Sequence, residues 1–189
     1  MTINDARTAG RTAYRWLRPV AVTASLLLLG YGVLRLIGGL NGPRDKTAWP
    51  WMIGHTLFLF GIVAFGAVMV GLHGLLRANS SRLWAVDDVA AMAGLVGALG
   101  FGWVILGDLF PRFADAVGTP DLVLTGGPVL FNLGLLTLLF RASSVRLLPV
   151  WGPVLVLVGF VAIAVNLDLL PIGAALVLAG LFTLDRSDR

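Results

Sequence analysis

His55 and His73 are the chain's only histidines, and they stand eighteen residues apart in GHTLFLFGIVAFGAVMVGLHG, Gly54 to Gly74, a segment with no other ionisable side chain. Eighteen residues make five helical turns, so the two imidazoles share one helix face and lie about 27 Å apart along its axis. They define two levels rather than one site. At the inner level, rise counting puts His73 about 6 Å and Asp87 and Asp88 about 7–9 Å from the same boundary, close enough to meet. At the outer level His55, Asp108 and Asp168 fall at about 33–39 Å, and Arg35 at about 25–30 Å along its own segment.

Histidine beside a carboxylate titrates near neutral pH, which is the chemistry of an ion or proton site. The competing reading is structural: polar groups near the ends of apolar helices are satisfied by headgroups, water and one another, and they fix helix register without reacting. A continuous proton path finds little support between the levels, where only hydroxyls such as Ser25 and Thr56 and the amide of Asn132 occur. Asn132 reads as a hydrogen bond between helices. Haem would need two imidazoles on opposite sides of one iron, whereas each level offers one and Met69 shares a helix with His73, so a b-type haem protein requires a second copy of the chain. A zinc site lacks any HExxH-like spacing. No cofactor and no metal are expected. The Asp87 and Asp88 pair lacks the further acids of a metal-dependent lipid phosphotransferase and no serine or histidine stands in a hydrolase arrangement, so no catalytic motif is found and the chain reads more readily as a non-enzyme than as a lipid-acting enzyme with Asp87 and Asp88 as its acids.

The elements that must position these groups follow from composition. Of 189 residues, 58% are hydrophobic and 13% charged, far from the balance of a soluble domain. A hydrocarbon layer of about 30 Å needs roughly 20 apolar residues per helix, and six such segments can be placed, at 18–40, 50–76, 84–109, 122–140, 147–165 and 168–184. The expectation is therefore an all-α integral membrane protein of six transmembrane helices, with a basic segment at 1–17, the helical domain at 18–184 and a tail at 185–189. The first apolar run is too long for a signal peptide and has no small-residue cleavage site after it, so it reads as a retained helix. There is no cysteine, which excludes disulfides and thiolate chemistry.

Ten arginines fall on one side of these segments (Arg7, Arg11, Arg15, Arg18, Arg77, Arg82, Arg141, Arg146, Arg186 and Arg189), against Arg44, Lys46 and Arg112 on the other. That split places both termini in the cytoplasm of a bacterial inner-membrane protein. The basic residues are spread between spans rather than gathered on one face, which argues against nucleic acid.

Two elbows look alike, LLRANSSRLWAV from Leu75 and LFRASSVRLLPV from Leu139, with Arg77 matching Arg141 and Arg82 matching Arg146 at an offset of 64. The helices that follow end in DLFP (Asp108 to Pro111) and DLLP (Asp168 to Pro171). These echoes point to three helical hairpins in one orientation; shared composition of arginine-flanked turns is the alternative. GLVGALGFG from Gly94 reads as a close-packing surface. TGGPVLFN, Thr125 to Asn132, reads as a helix start with proline in its first turn or as a break in the fourth helix.

Gly54, Gly61 and Gly71 line a face about 100° from the histidines, which suits packing against another helix. With loops of about ten residues, the business of such a chain is with membrane lipid, other membrane helices or self-association, or a very small solute. The first functional expectation is an accessory or scaffold subunit of a larger membrane assembly. The alternatives are an ion, proton or small-solute transporter or channel using the two His/Asp layers, and the haem protein above.

Overall fold

The computed structural model describes residues 15–40, 45–79 and 83–185, apart from the side chain of Asp185. Arg7, Arg11, Arg44, Arg82, Arg186 and Arg189 lie outside the described residues. Every regular element among the described residues is helical: α1 (Leu17–Gly39), α2 (Trp49–Asn79), α3 (Trp84–Leu109), the short α4 (Pro111–Val117), α5 (Asp121–Ser144), α6 (Trp151–Val165), a 3₁₀ turn (Leu167–Leu169), α7 (Leu170–Leu181) and a last 3₁₀ turn (Phe182–Asp185).

Five stretches are long and apolar enough to cross a membrane: α1, α2, α3, α5 and the run Leu167–Leu184 around α7. The sixth apolar helix, α6, has only 15 residues, about 22 Å of rise. The reason is local. The amide of Leu147 bonds to the Ala142 carbonyl and that of Arg146 to the Ser143 carbonyl, at 2.9 Å each, with Arg146 at φ 63°. This is a Schellman cap that stops α5, with the unusual feature of a non-glycine residue in the left-handed position. Pro149 then precedes α6, so the residues predicted to open a span at 147 are spent on a turn.

α5 starts within one residue of the expected 122, and what it corrects is the reading of TGGPVLFN as a helix start or break. It opens at Asp121, so Pro128 sits inside it rather than in its first turn, and the helix runs unbroken past it. Proline withholds one amide from the Leu124 carbonyl. The helix persists because both flanks are packed: Gly127 lies against the Gly100–Phe101 backbone and Phe131 is buried.

The six apolar helices form a ring in chain order, with α7 closing on α1. The packing is most extensive within α1–α2, α3–α5 and α6–α7. Glycine sets the approach in two of these pairs. A methyl group on Gly134 would stand 2.5 Å from the Ala90 carbonyl oxygen and the Gly94 nitrogen, and one on Gly159 would stand 2.5 Å from the Gly173 carbonyl oxygen. Only a bare backbone permits such contact. The Gly54, Gly61 and Gly71 face, read from sequence as a surface for another helix, is taken by α1: Gly54 meets Tyr31 and Leu34, Gly61 meets Leu27 and the Ala24 carbonyl, and Gly71 meets Leu17 and Trp16. Helices joined by so short a connection pack on each other first.

Across the ring α2 also touches α5. There Phe65, Phe131 and Phe160 form a mutual edge-on cluster, with ring centroids 5.8, 6.4 and 6.1 Å apart. Phe101 and Phe58 extend it toward α1.

Candidate functional site

The α2–α3 and α5–α6 elbows gather at one end of the bundle, and the α1–α2 and α3–α5 connections with the Asn166 turn gather at the other. Each end holds ionisable side chains.

At the elbow end, the three residues expected to meet separate: His73 pairs with Asp88, and Asp87 pairs with Arg141. His73 Nε2 donates to Asp88 Oδ1 at 2.6 Å, since a carboxylate can only accept. Arg77 joins them, its Nη2 2.7 Å from Asp88 Oδ2 and its guanidinium carbon 5.6 Å from the Trp84 ring. Asp87 turns away from His73. Its carboxylate, 1% exposed, takes Arg141 Nε at 2.8 Å and Nη2 at 3.2 Å. Successive helical residues point about 100° apart, so neighbouring aspartates address different helices: Asp88 faces α2 and Asp87 faces α5.

The sequence reads Arg77 and Arg141 as charges that orient the chain and as matched positions of two elbows, yet they are also the partners that organise this end. Their contacts also bear on the elbow match. Arg77 reaches forward to the helix after its elbow, whereas Arg141 reaches back to α3, and the position matching Asp88 on α6 is Gly152. The two arginines occupy matching places in sequence and unlike places in the ion-pair network.

At the other end, His55 is 4% exposed. Its ring stacks on Trp51 with centroids 4.0 Å apart and meets Tyr31 edge-on at 5.1 Å. Nδ1 lies 3.0 Å from the Trp51 carbonyl, so that nitrogen carries a proton. Nε2 looks toward Asp108 Oδ2 at 3.8 Å. Asp108 is held more closely by Lys46 at 2.9 Å, and its carbonyl takes the Trp51 indole N–H at 3.4 Å. Lys46, outside the helices, was unforeseen as a partner. Its ammonium also lies 5.3 Å from the Trp51 ring centroid.

Asp168 is placed elsewhere. It is exposed in the 3₁₀ turn, its amide bound by the Asn166 side chain at 2.9 Å, and that turn packs on α1 rather than on the α2–α3 side that holds His55 and Asp108. The DLFP and DLLP sequences do share one role, because Pro111 and Pro171 each open the following helix. Arg35 lies on the same side as His55. Together with Tyr31, Asp45, Trp49 and Trp51 they line a cavity of about 450 Å³ between α1 and the start of α2. On its rim, Asp45 Oδ1 accepts from the Thr47 amide at 2.8 Å and the Thr47 hydroxyl at 2.7 Å, and these bonds hold its carboxyl below the usual aspartate range.

Between the ends, the polar side chains bond to their own helices. Ser25 Oγ donates to the Ala21 carbonyl, Thr56 Oγ1 to the Met52 carbonyl and Asn132 Nδ2 to the Pro128 carbonyl, each at 2.8 Å. Asn132 therefore does not bridge helices as its type suggested, and its Oδ1 is buried with no hydrogen-bond partner among the described residues. Among the described residues no hydrogen bond joins these three groups to one another: each bonds within its own helix.

The fold and both ends thus describe an all-helical chain of membrane-protein character, with an ion-paired staple at one end and an aromatic, charged cavity at the other. No family model, curated protein or solved structure matches it.

Proposed function

We propose that this chain is an accessory or scaffold subunit of a larger membrane assembly, a six-helix bundle of a bacterial inner membrane with its elbow end and both termini in the cytoplasm. The orientation rests on the ten-to-three arginine and lysine split. The role rests on one observation: His73, Asp88, Arg77, Asp87 and Arg141 are all engaged in tying α3 to its neighbours, while phenylalanines fill the centre. Charged groups in a conduit are arranged along a path. At the elbow end they are arranged around one helix, as in a part whose task is to hold shape within lipid.

The test is purification from native membranes in mild detergent, with mass spectrometry of whatever co-elutes in fixed proportion and recapture of the chain through that partner. A stoichiometric, reciprocal partner supports the reading. A solitary protein that carries ions or protons in proteoliposomes, with flux lost in His55→Ala, replaces it with the transporter reading. A Soret band abolished by His73→Ala replaces it with the haem reading.

A further inference from the structure

The two nitrogens of the buried His55 ring face different tasks. Nδ1 lies 3.0 Å from the Trp51 carbonyl, one turn back along α2, and that acceptor requires the proton on Nδ1. The proton count at Nε2 is therefore the variable. A neutral ring presents a bare lone pair there, and 3.8 Å away stands Asp108 Oδ2, a second acceptor. Two acceptors gain nothing from approaching each other. The imidazolium has donors on both nitrogens, and it turns the same approach into a charge-assisted hydrogen bond.

The groups around the ring make that change of charge matter. From α1, Tyr31 meets it edge-on at 5.1 Å and Arg35 lines the same cavity. The connection between α1 and α2 contributes Lys46, and Asp45 on the cavity wall. On α2 itself the Trp51 ring lies at 4.0 Å and 27° to the imidazole, presenting the face that attracts a cation. Asp108 comes from α3. Lys46 holds its Oδ1 at 2.9 Å, but Lys46 is 65% exposed and belongs to the connection rather than to a helix, so water and salt screen its pull. The Trp51 indole also reaches the Asp108 carbonyl, through a long bond of 3.4 Å. A closed His55–Asp108 pair would be a stronger tie between the start of α2 and the end of α3, made by the side chain whose charge changes between about pH 5 and 8.

We propose that His55 and Asp108 form a proton-operated latch. Uptake of a proton at Nε2 closes the ring onto Asp108 Oδ2 and ties α2 to α3; its release leaves Asp108 to Lys46. The proton reaches the ring from the aqueous phase at this end, through the cavity that His55 lines. The latch thus sets how firmly the α2 wall of that cavity is anchored.

The experiment is a double-mutant cycle on the purified full chain in detergent. Wild type, His55→Gln, Asp108→Asn and the double variant are unfolded thermally at about pH 5.5 and about pH 8.5, on either side of the histidine range. In acid the two substitutions are expected to be non-additive by about 2–4 °C in thermal midpoint, and in alkali additive. The cycle with His73→Gln in place of His55→Gln is expected to be additive at both, because His73 lies at the opposite end. Nitrogen NMR of histidine-labelled protein should show a proton on Nδ1 throughout and a second arriving at Nε2 as the pH falls from about 8 to about 5, a readout that stands even if the Asp108 variant fails to fold. Additivity at both values of pH, a coupling that is the same at both, or an Nε2 that takes up no proton over this range overturns the proposal.

Discussion

Asp87 and Asp88, adjacent in sequence and so about 100° apart around α3, bind arginines of different neighbouring helices: Asp87 closes on Arg141 of α5, and Asp88 on Arg77 of α2. One dipeptide thereby couples three helices. The two pairs differ in burial, and burial decides what losing each carboxylate does.

Asp87 is 1% and Arg141 14% exposed at the side chain. Removing one partner of a buried pair leaves the other uncompensated, at a cost of about 3–5 kcal/mol. Asp87→Asn should therefore lower the thermal midpoint of the detergent-solubilised protein far more than Asp88→Asn, whose partner Arg77 is half exposed and rehydrates. Asp87→Leu combined with Arg141→Met should recover much of the loss. Equal effects of the two single variants would contradict the assignment of pairs.

Close approach of α3 and α5 makes a second prediction. Gly134→Ala drives a methyl into the Ala90 carbonyl and the Gly94 backbone, and neither can swing aside. Overpacking of this kind costs about 1–3 kcal/mol. Gly126→Ala, on the same helix, meets its nearest neighbour at 3.8 Å and should be neutral or slightly stabilising, because alanine is the better helix former. Thermal unfolding of the two variants side by side checks this; a tolerated Gly134→Ala would mean the helices are not in backbone contact.

How much of this arrangement could be read from sequence depends on what each residue signals. Long apolar runs mark α1, α2 and α3 because burial in lipid demands about 20 such residues in a row. The start of α5 is legible to within a residue, at 122 against Asp121, but the TGGP stretch suggests a start or break at Pro128 that tertiary packing overrides. The turn before α6 is hidden: RLLPV looks apolar, and the cap that ends α5 depends on a backbone angle at Arg146 that no side-chain pattern announces. Rise counting brings His55 and Asp108 to one level, where their atoms stand 3.8 Å apart. It carries no information about azimuth, which is why it could not separate Asp87 from Asp88 or place Asp168 against α1.

Asn132 gives a third prediction. A buried acceptor without a partner costs about 1–3 kcal/mol in desolvation, and Oδ1 is in that position. Asn132→Leu should raise the unfolding midpoint while leaving the oligomeric state unchanged. A fall in stability would show that the amide is satisfied in the membrane by a group from another chain.

The Asp45 turn is the place where pH acts outside the helices. Both Thr47 bonds favour the charged carboxylate, so the folded value lies below the unfolded one. Stability from this turn is therefore complete above the unfolded value, about 3.9, and disappears as pH falls through the lower folded value. An NMR titration of the Asp45 carboxyl should show a depressed midpoint, moved upward by Thr47→Val. An unchanged midpoint in that variant would remove the turn as its cause.

The brevity of α6 reaches beyond the chain itself. Val154, Leu157, Val158 and Val161 look outward from a helix of about 22 Å, whereas α2, with 31 residues, rises about 46 Å. A bilayer meeting this bundle would find a low wall on one flank and a tall one on another. Acyl chains beside α6 would have to shorten or tilt to keep its rim covered, and the protein would gather preferentially where the membrane is thin or its lipids short.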